Sequence, residues 1–288
     1  SRYSRVLEIS ANRGKITDRH GEALAISTPV KSVWAIPEEV QYSSQQRAKL
    51  AALLELPPRE IDKRLNESTS FVYLKRQIPP EVAERVSELR IAGLFQNREY
   101  RRYYPGGDVM AQVLGFTGAD DAGQEGIELA FQSMLAGKSG SRRVIKDRLG
   151  QIVEDTESIR EAQNGRDLVL ALDAKLQNLA FAQLKLAVDA NKAKAGAIVV
   201  LDAKTGEVLA LANLPTYNPN NRSRLSGAQL RNRVITDTFE PGSTLKPFTV
   251  ALAIEQGKFT PDSTVATAAG SLSIGHATIH DAHRFGDM

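Results

Sequence analysis

The stretch AIVVLDAKTGEVLALA, residues 197–212, restricts the fold of this chain more than any other feature. Two apolar runs flank a segment of turn-forming residues at 202–206, and this pattern predicts an antiparallel hairpin. We interpret 197–201 as a buried strand and 207–212 as its return. Apolar residues at helical spacing over 176–190 predict a long amphipathic helix before the hairpin.

The earlier part of the chain predicts a mixture of short strands and helices. In RGKITDRHGEALA, residues 13–25, the Asp-Arg-His-Gly sequence predicts a hairpin turn in which Gly21 supplies a positive φ. Apolar spacing predicts helices over 45–56, 80–89 and 126–135. Extended segments are expected over 142–153, with a turn at 147–150, and over 167–172.

Asn164-Gly165 is a strong turn signal, and the composition of the chain changes there. We therefore expect a first module of residues 1–165 and a second domain of residues 166–288. A chain of 288 residues has the length for two domains of ordinary size.

The composition excludes several classes of protein. With 42% hydrophobic and 25% charged residues the chain is typical of a soluble globular protein, and a net charge of +3 is too small to indicate a nucleic-acid partner. The absence of cysteine excludes disulfides, thiolate metal sites and a cysteine nucleophile. The longest apolar run, around 197–201, is too short to span a bilayer, and SRYSRVLEIS is not a signal peptide. We expect a fragment or processed form that lacks its upstream targeting segment, if one existed.

Ser243 and Lys246 stand three residues apart in FEPGSTLKPF, residues 239–248. A helix is expected from about Ser243 to Glu255, because Pro247 is tolerated only near a helix start. Residues three apart share a helix face, and the N–H groups at a helix start favour negative charge, including a serine alkoxide. The same positive end, together with burial, would favour a neutral lysine, which can take the serine proton.

This spacing has an ordinary explanation as well. About one S-x-x-K is expected by chance in a chain of this length, and a capping serine followed by a solvated lysine is common. The spacing alone therefore leaves both interpretations open.

The sequence around the pair resembles the active-site motif of the penicillin-binding proteins, the serine D,D-transpeptidases. NRVITDTFEPGST, residues 232–244, is similar to the approach to the nucleophile in that family, and residues 195–220 are similar to its first sheet strands and following loop. RGKITDRHGEALA resembles the start of the non-catalytic N-terminal module of class B members. GQEGIELAFQSMLAGKSG and KDRLG, residues 123–140 and 146–150, resemble its later part. Among class B members the likeness is to the division-specific penicillin-binding protein 3 type of Gram-negative bacteria.

The resemblance implies an α+β fold, with an elongated N-terminal pedestal followed by the beginning of an α/β penicillin-binding transpeptidase domain, here truncated. It implies that Ser243 attacks the carbonyl between two D-alanines of a peptidoglycan stem peptide, with Lys246 as the general base. An amine from a second stem peptide would then resolve the acyl-enzyme, and β-lactams would acylate the same serine. The backbone N–H of Ser243 would form half of the oxyanion hole. Neither a cofactor nor a metal is expected.

The expected partners are peptidoglycan stem peptides, β-lactam antibiotics and membrane proteins of the division complex, without nucleic acid. The implied location is the periplasmic side of the bacterial inner membrane, with a single-pass anchor upstream of Ser1.

The chain departs from the family pattern in one respect. The family needs S-x-N and K-[ST]-G motifs after the nucleophile, and neither follows Ser243 in this sequence. Lys204-Thr205-Gly206 lies upstream, in a tight turn, and we interpret it as turn chemistry only. We therefore expect the chain to be the front part of an enzyme and inactive alone. The alternatives are a non-enzymatic cell-envelope interaction module, and a β-lactam sensor or β-lactamase.

Three weaker signals favour structural explanations. The histidines at 276, 280 and 283 are not expected to bind metal, because an extended segment places the last two on opposite faces. Alternating arginines and tyrosines over 97–104 favour an exposed strand with snorkelling arginines over a single-stranded nucleic-acid site. Three carboxylates in the first module are expected to cap turns and helices rather than to act as a glycosidase acid pair; they are Asp18, Glu125 and Glu128.

Overall fold

The structure, a computed structural model of the chain, describes residues 3–146, 152–267 and 270–283. Contacts divide the chain into two compact units, Ser1–Asp237 and Thr238–Met288. In the described part of the chain, no helix combines the length and the apolar character needed to cross a membrane.

The first unit contains ten strands and nine α-helices in its described residues. The strands are β1 (Tyr3–Ile9), β2 (Ile16–Thr17), β3 (Ala23–Ala35), β4 (Val72–Ile78), β5 (Leu94–Tyr103), β6 (Gly140–Lys146), β7 (Ile152–Arg160), β8 (Leu168–Val169), β9 (Gly196–Leu201) and β10 (Val208–Leu214). The helices are α1 (Ser44–Leu53), α2 (Pro58–Leu65), α3 (Pro80–Glu88), α4 (Ala111–Leu114), α5 (Gly126–Ala130), α6 (Gln132–Leu135), α7 (Ala174–Ala190), α8 (Gly227–Leu230) and α9 (Arg233–Thr236). Short 3₁₀ turns lie at Pro37–Glu39 and Gly107–Met110.

The long strand β3 organises a five-stranded sheet. Its first residues pair with β2, and its later residues pair with β5 on one side and β4 on the other, all antiparallel. Strand β2 also pairs in parallel with β8, which places Ile16 opposite Leu168. The predicted hairpin at 13–25 is confirmed, with Gly21 at φ +84°. The β2–β8 pair brings the beginning of the first module beside the residues that directly follow its end.

A second sheet of the first module has three antiparallel strands in the order β1-β6-β7. It confirms the extended structure expected for residues 142–146 and 152–153. The predicted turn at 147–150 lies outside the described residues.

Three helices cover the end of the large sheet that β3 and β4 form. Leu50 of α1, Leu54 directly after it, Ile61 of α2 and Val86 of α3 are buried in one cluster with residues of both strands. Helix α1 begins with a capping box between Ser43 and Gln46, and α2 and α3 each begin with a proline in the first turn. The predicted helices over 45–56 and 80–89 are confirmed. Their start signals are local, so the sequence was sufficient to predict them.

The helix and the hairpin predicted from the sequence are confirmed as α7 and as β9 with β10, and α7 packs on the hairpin. Ala180 and Leu184 of the helix contact Ala210 and Ala212 of β10 in a common core. Strand β9 is not fully buried, since exposure alternates along it and Val199 is 46% exposed. The expectation of a buried strand is therefore wrong for one of its two faces.

Two other sequence predictions need correction. The helix expected over 126–135 is divided into α5 and α6, because Phe131 between them leaves the helical region at φ −108° and ψ 23°. The strand expected over 167–172 is reduced to the two residues of β8. In both places the regular element is shorter than the local pattern predicts.

A buried charge network crosses the centre of the first module. The Glu128 carboxylate is fully buried and accepts hydrogen bonds from Arg13 Nε and Arg102 Nε, both at 2.7 Å. Tyr104 Oη donates to the same carboxylate at 3.2 Å. The expectation that Glu128 caps a helix is wrong, as is that of a solvent-extended Arg102, because the carboxylate is the counter-ion of two buried guanidiniums. Glu125 precedes α5 without a side-chain capping hydrogen bond, which corrects its expected role as well.

Asp18 does act as a cap, and it joins the first module to α7. Its Oδ1 accepts the backbone N–H groups of His20 and Glu22 at 2.8 and 2.9 Å, and its Oδ2 accepts that of Ala174 at 3.0 Å. Burial raises the pKa of Asp18, but these backbone hydrogen bonds outweigh burial and hold the pKa below its usual value. The turn predicted from the sequence therefore also caps the N-terminus of α7.

Candidate active site

Ser243 lies in a 3₁₀ turn, Gly242–Leu245, that leads directly into α10 (Lys246–Glu255). Gly242 takes φ +53°, and the backbone N–H of Lys246 donates to the carbonyl oxygen of Ser243. Residues three apart eclipse one another in a 3₁₀ turn. The turn therefore places Ser243 and Lys246 on the same side of the chain at the helix start.

The boundaries of α10 follow from local sequence signals, as predicted. Pro247 occupies the first turn, where its missing N–H is not needed. At the other end, Gly257 takes φ +68° and its N–H donates to the Ile254 carbonyl oxygen at 2.9 Å. The structure differs from the prediction only in making the first residues 3₁₀ rather than α-helical.

Ser243 and Lys246 are both exposed to solvent in this chain. The described residues therefore do not bury the lysine, and the role of Lys246 stays a prediction. The apolar residues of α10 are exposed too, with Phe248 at 72% and Val250 at 57%. Helices with apolar residues around their whole circumference are typical of protein interiors.

The segment that leads toward Ser243 is held by a buried polar residue. Asn213 at the end of β10 is 1% exposed, and its Oδ1 accepts the backbone N–H of Val234 at 3.0 Å. Its Nδ2 donates to Asn232 Oδ1 at 3.1 Å. Sequence reasoning missed Asn213, although a lone amide in the apolar run ALANL was a usable signal.

Lys204-Thr205-Gly206 forms the turn between β9 and β10. Asp202 Oδ1 accepts the backbone N–H groups of Lys204 and Thr205 at 2.8 and 3.0 Å, and Gly206 takes φ +75°. These backbone hydrogen bonds hold the pKa of Asp202 below its usual value. The interpretation of this tripeptide as turn chemistry is confirmed.

The histidines lie in and after a small hairpin of β11 (Ser271–Ile274) and β12 (Ala277–His280). His276 is in the turn, His280 ends β12 and His283 follows it. Within the ranges that the structure describes, no group of three or more histidine, aspartate or glutamate side chains is arranged to hold a metal ion.

The alternating arginines and tyrosines form β5, and the prediction of a strand there is confirmed. The strand is not uniformly exposed, since Arg102 is 4% and Tyr104, just beyond its end, 1% exposed. Arg98 lies over the Tyr100 ring at 5.5 Å from its centroid. Burial therefore increases along one face of β5, from the exposed Arg98 to the buried Arg102.

Comparison with known proteins adds two family matches. The penicillin-binding protein dimerisation domain matches residues 8–170, and the penicillin-binding protein transpeptidase domain matches residues 196–286. The chain belongs to the penicillin-binding protein family. The second match includes Ser243, Lys246 and the whole of α10.

Relatives agree with this family assignment along the whole chain. The peptidoglycan D,D-transpeptidase FtsI of Escherichia coli K12 is 42% identical, with 100% of this chain and 50% of the relative covered. The probable peptidoglycan D,D-transpeptidase PenA of Neisseria gonorrhoeae is 41% identical, with 98% and 49% covered. The chain thus spans about half the length of the relatives it matches.

A solved structure shares the fold. It is a complex between penicillin-binding protein PBP2 and MreC from Helicobacter pylori, with a TM-score of 0.72 and 22% identity over 99% of this chain and 59% of that chain. The combination of helices and sheets predicted from the sequence is thus the fold of penicillin-binding proteins.

Proposed function

We propose that this chain belongs to a peptidoglycan D,D-transpeptidase of cell division, with Ser243 as the nucleophile and Lys246 as the general base. The observation that carries the proposal is the position of this pair. It lies within the segment that matches the transpeptidase family, on one side of a turn that opens α10. The names of the relatives support the same activity.

In the proposed reaction, Ser243 Oγ attacks the carbonyl carbon between two D-alanines while Lys246 Nζ takes the hydroxyl proton. The tetrahedral intermediate collapses with release of the terminal D-alanine, whose amine receives that proton. The amine of a second stem peptide then attacks the resulting ester, forms the cross-link and regenerates the serine. The backbone N–H of Ser243 supplies one donor to the developing oxyanion. A β-lactam acylates the same oxygen when its ring amide opens.

The 288-residue chain alone is proposed to react poorly. No S-x-N or K-[ST]-G follows Ser243 in the sequence, and the described residues leave Ser243, Lys246 and α10 exposed. An exposed helix start gives an oxyanion less stabilisation than a water-excluded site. We further divide the chain at residue 165, into a pedestal module and a transpeptidase segment.

The proposed location is the periplasmic side of the inner membrane, with a single-pass anchor that precedes Ser1. Partner proteins of the division complex are proposed to dock on the first module. Support comes from the Helicobacter pylori structure, whose penicillin-binding protein is in complex with MreC.

Labelling with a fluorescent penicillin tests the proposed function. The full-length gene product is expected to form a covalent adduct that survives denaturation, and Ser243→Ala to abolish it. Ser271→Ala, which changes another exposed serine of the same unit, is the matched control and should keep full labelling. Persistent labelling of Ser243→Ala would refute the assignment of Ser243 as the nucleophile.

Absence of labelling from the unmodified protein would favour a non-enzymatic module, and rapid turnover of the adduct would favour a β-lactamase. Strong labelling of the 288-residue chain alone would refute the claim that downstream motifs are needed.

A further inference from the structure

A cavity of about 330 Å³ lies between the end of the large sheet and the segment that follows β10. Three arginines line it, with Arg101 and Arg102 from β5 and Arg222 from the opposite wall. Among the described residues that line this cavity there is no carboxylate, and the rest are amide, hydroxyl or small side chains. The described lining therefore offers positively charged hydrogen-bond donors and contains no carboxylate.

The three arginines are not equivalent. Arg102 is 4% exposed and is already neutralised by Glu128 at 2.7 Å. Arg101 and Arg222 are exposed, and in the described part of the chain neither has a carboxylate within ion-pair distance. These two guanidiniums therefore carry the positive charge that is available to a ligand in the cavity.

Both guanidiniums are held in place by backbone oxygens and keep donors to spare. Arg101 Nη2 donates to the Asn220 carbonyl oxygen at 3.2 Å, and Arg222 Nη2 donates to the Thr117 carbonyl oxygen at 3.1 Å. The Arg222 guanidinium also lies 4.1 Å from the centroid of the Phe116 ring. An arginine has five N–H donors, so these contacts orient the side chains without saturating them.

The wall of the cavity is rigid at two further points. The Asn220 side chain accepts the backbone N–H of Tyr104 and donates to the Tyr104 carbonyl oxygen, both at 2.9 Å. Gln77 on the rim takes φ +56°, in the left-handed region that non-glycine residues rarely adopt. Non-glycine residues in such conformations are concentrated at binding sites, where the surrounding structure enforces them.

We propose that this cavity binds an oxyanion, a carboxylate or phosphate group of a small ligand, between the guanidiniums of Arg101 and Arg222. Planar guanidiniums bind both kinds of oxyanion through paired charge-assisted hydrogen bonds. The amide side chains of Gln77 and Asn221 supply further neutral donors at the edge of the cavity. The site is separate from the chemistry proposed for Ser243 and does not depend on it.

Titrations of the isotope-labelled 288-residue chain with two probes test the proposal. The probes are inorganic phosphate and N-acetylalanine, each at constant ionic strength, and N-acetylalaninamide is the neutral match of the second. Saturable chemical-shift changes are expected at the backbone amides of Thr117, Gly118 and Asn221 with at least one anion, but not with the amide. Arg222→Gln and, separately, Arg101→Gln should each weaken that binding by roughly tenfold or more.

Arg98→Gln is the control, since Arg98 lies on the same strand but does not line the cavity. Its affinity for the anion should remain within about twofold of the unmodified chain. Binding of phosphate alone would identify a phosphorylated ligand, and binding of N-acetylalanine alone a peptide carboxylate. The proposal is overturned if neither anion binds, if the neutral amide binds equally well, or if Arg98→Gln loses as much affinity as the two cavity variants. Arg101→Gln keeps the test decisive should Arg222→Gln displace its own segment.

Discussion

Replacing Glu128 by alanine is expected to destabilise the first module by about 4 kcal/mol. The side chains of Arg13 and Arg102 are 1% and 2% exposed, and Glu128 is their shared counter-ion at 2.6 and 2.7 Å. Breaking a buried ion pair from one side typically costs about 3–5 kcal/mol, because a charge remains buried without its partner. Here one truncation strands two guanidiniums, and it also removes an acceptor from Tyr104. Neutral backbone and amide oxygens around Arg13 keep the loss within that range.

Urea denaturation followed by tryptophan fluorescence measures this loss. Trp34 is the only tryptophan in the sequence, and it lies buried in β3, stacked on Phe95 with ring centroids 4.5 Å apart. Its emission therefore reports the unfolding of the large sheet. Coincidence with the far-ultraviolet circular dichroism transition would establish that a single unfolding step is measured.

Glu60→Ala is the matched control, because Glu60 pairs with Arg64 on the surface of α2 at 3.1 Å and both side chains are about a third exposed. A pair of this kind contributes only about 0.3–0.5 kcal/mol. Glu128→Gln should fall between the two variants, since it keeps the shape and an acceptor but loses the charge. A loss below about 1 kcal/mol for Glu128→Ala, or one equal to that of Glu60→Ala, would refute the reasoning from buried charge.

Two further predictions concern the junction with α7. Because the folded-state pKa of Asp18 lies below its unfolded value, its stabilising contribution is complete above about pH 4 and is lost as the pH falls through the folded-state value. Asp18→Asn should therefore lower the free energy of unfolding at pH 7 by about 1 kcal/mol and flatten its decline in acid, which urea titrations from pH 7 to pH 2 will show. Gln177 is fully buried and bridges the N–H and the carbonyl oxygen of Leu211 at 2.7 and 2.8 Å. Gln177→Leu should cost about 2–3 kcal/mol in the same assay, because it leaves both backbone groups unpaired, and an unchanged midpoint would contradict this account.

Local signals predicted the elements of this fold well. The hairpin of β9 and β10 and the start of α10 depend on residues that are neighbours in sequence. Gly206 and Pro247 each determine the backbone conformation at their own position. The same argument located Ser243 in a turn at the start of a helix. Its chemistry stays a proposal, since the spacing of two side chains does not specify their surroundings.

The sequence did not predict the contacts between side chains that are far apart along the chain. Arg13 and Glu128 are 115 residues apart, and no periodicity or turn signal connects such positions. In the sequence, a carboxylate near a helix start such as Glu128 is interpreted as a cap. Only the fold shows the two guanidiniums that lie beside it.

The parallel pair of β2 and β8 has a mechanical consequence. Backbone hydrogen bonds run in sequence across it, from Leu168 N to Lys15 O, from Leu170 N to Thr17 O and from Arg19 N to Leu172 O, each at 2.9 Å. A pull directed along the chain, before β2 and after β8, loads these bonds in shear, so that they resist together rather than opening one at a time like a zipper. Tension along the polypeptide would then pass directly from β2 to β8 through these few hydrogen bonds, and most of the first module would bear no load.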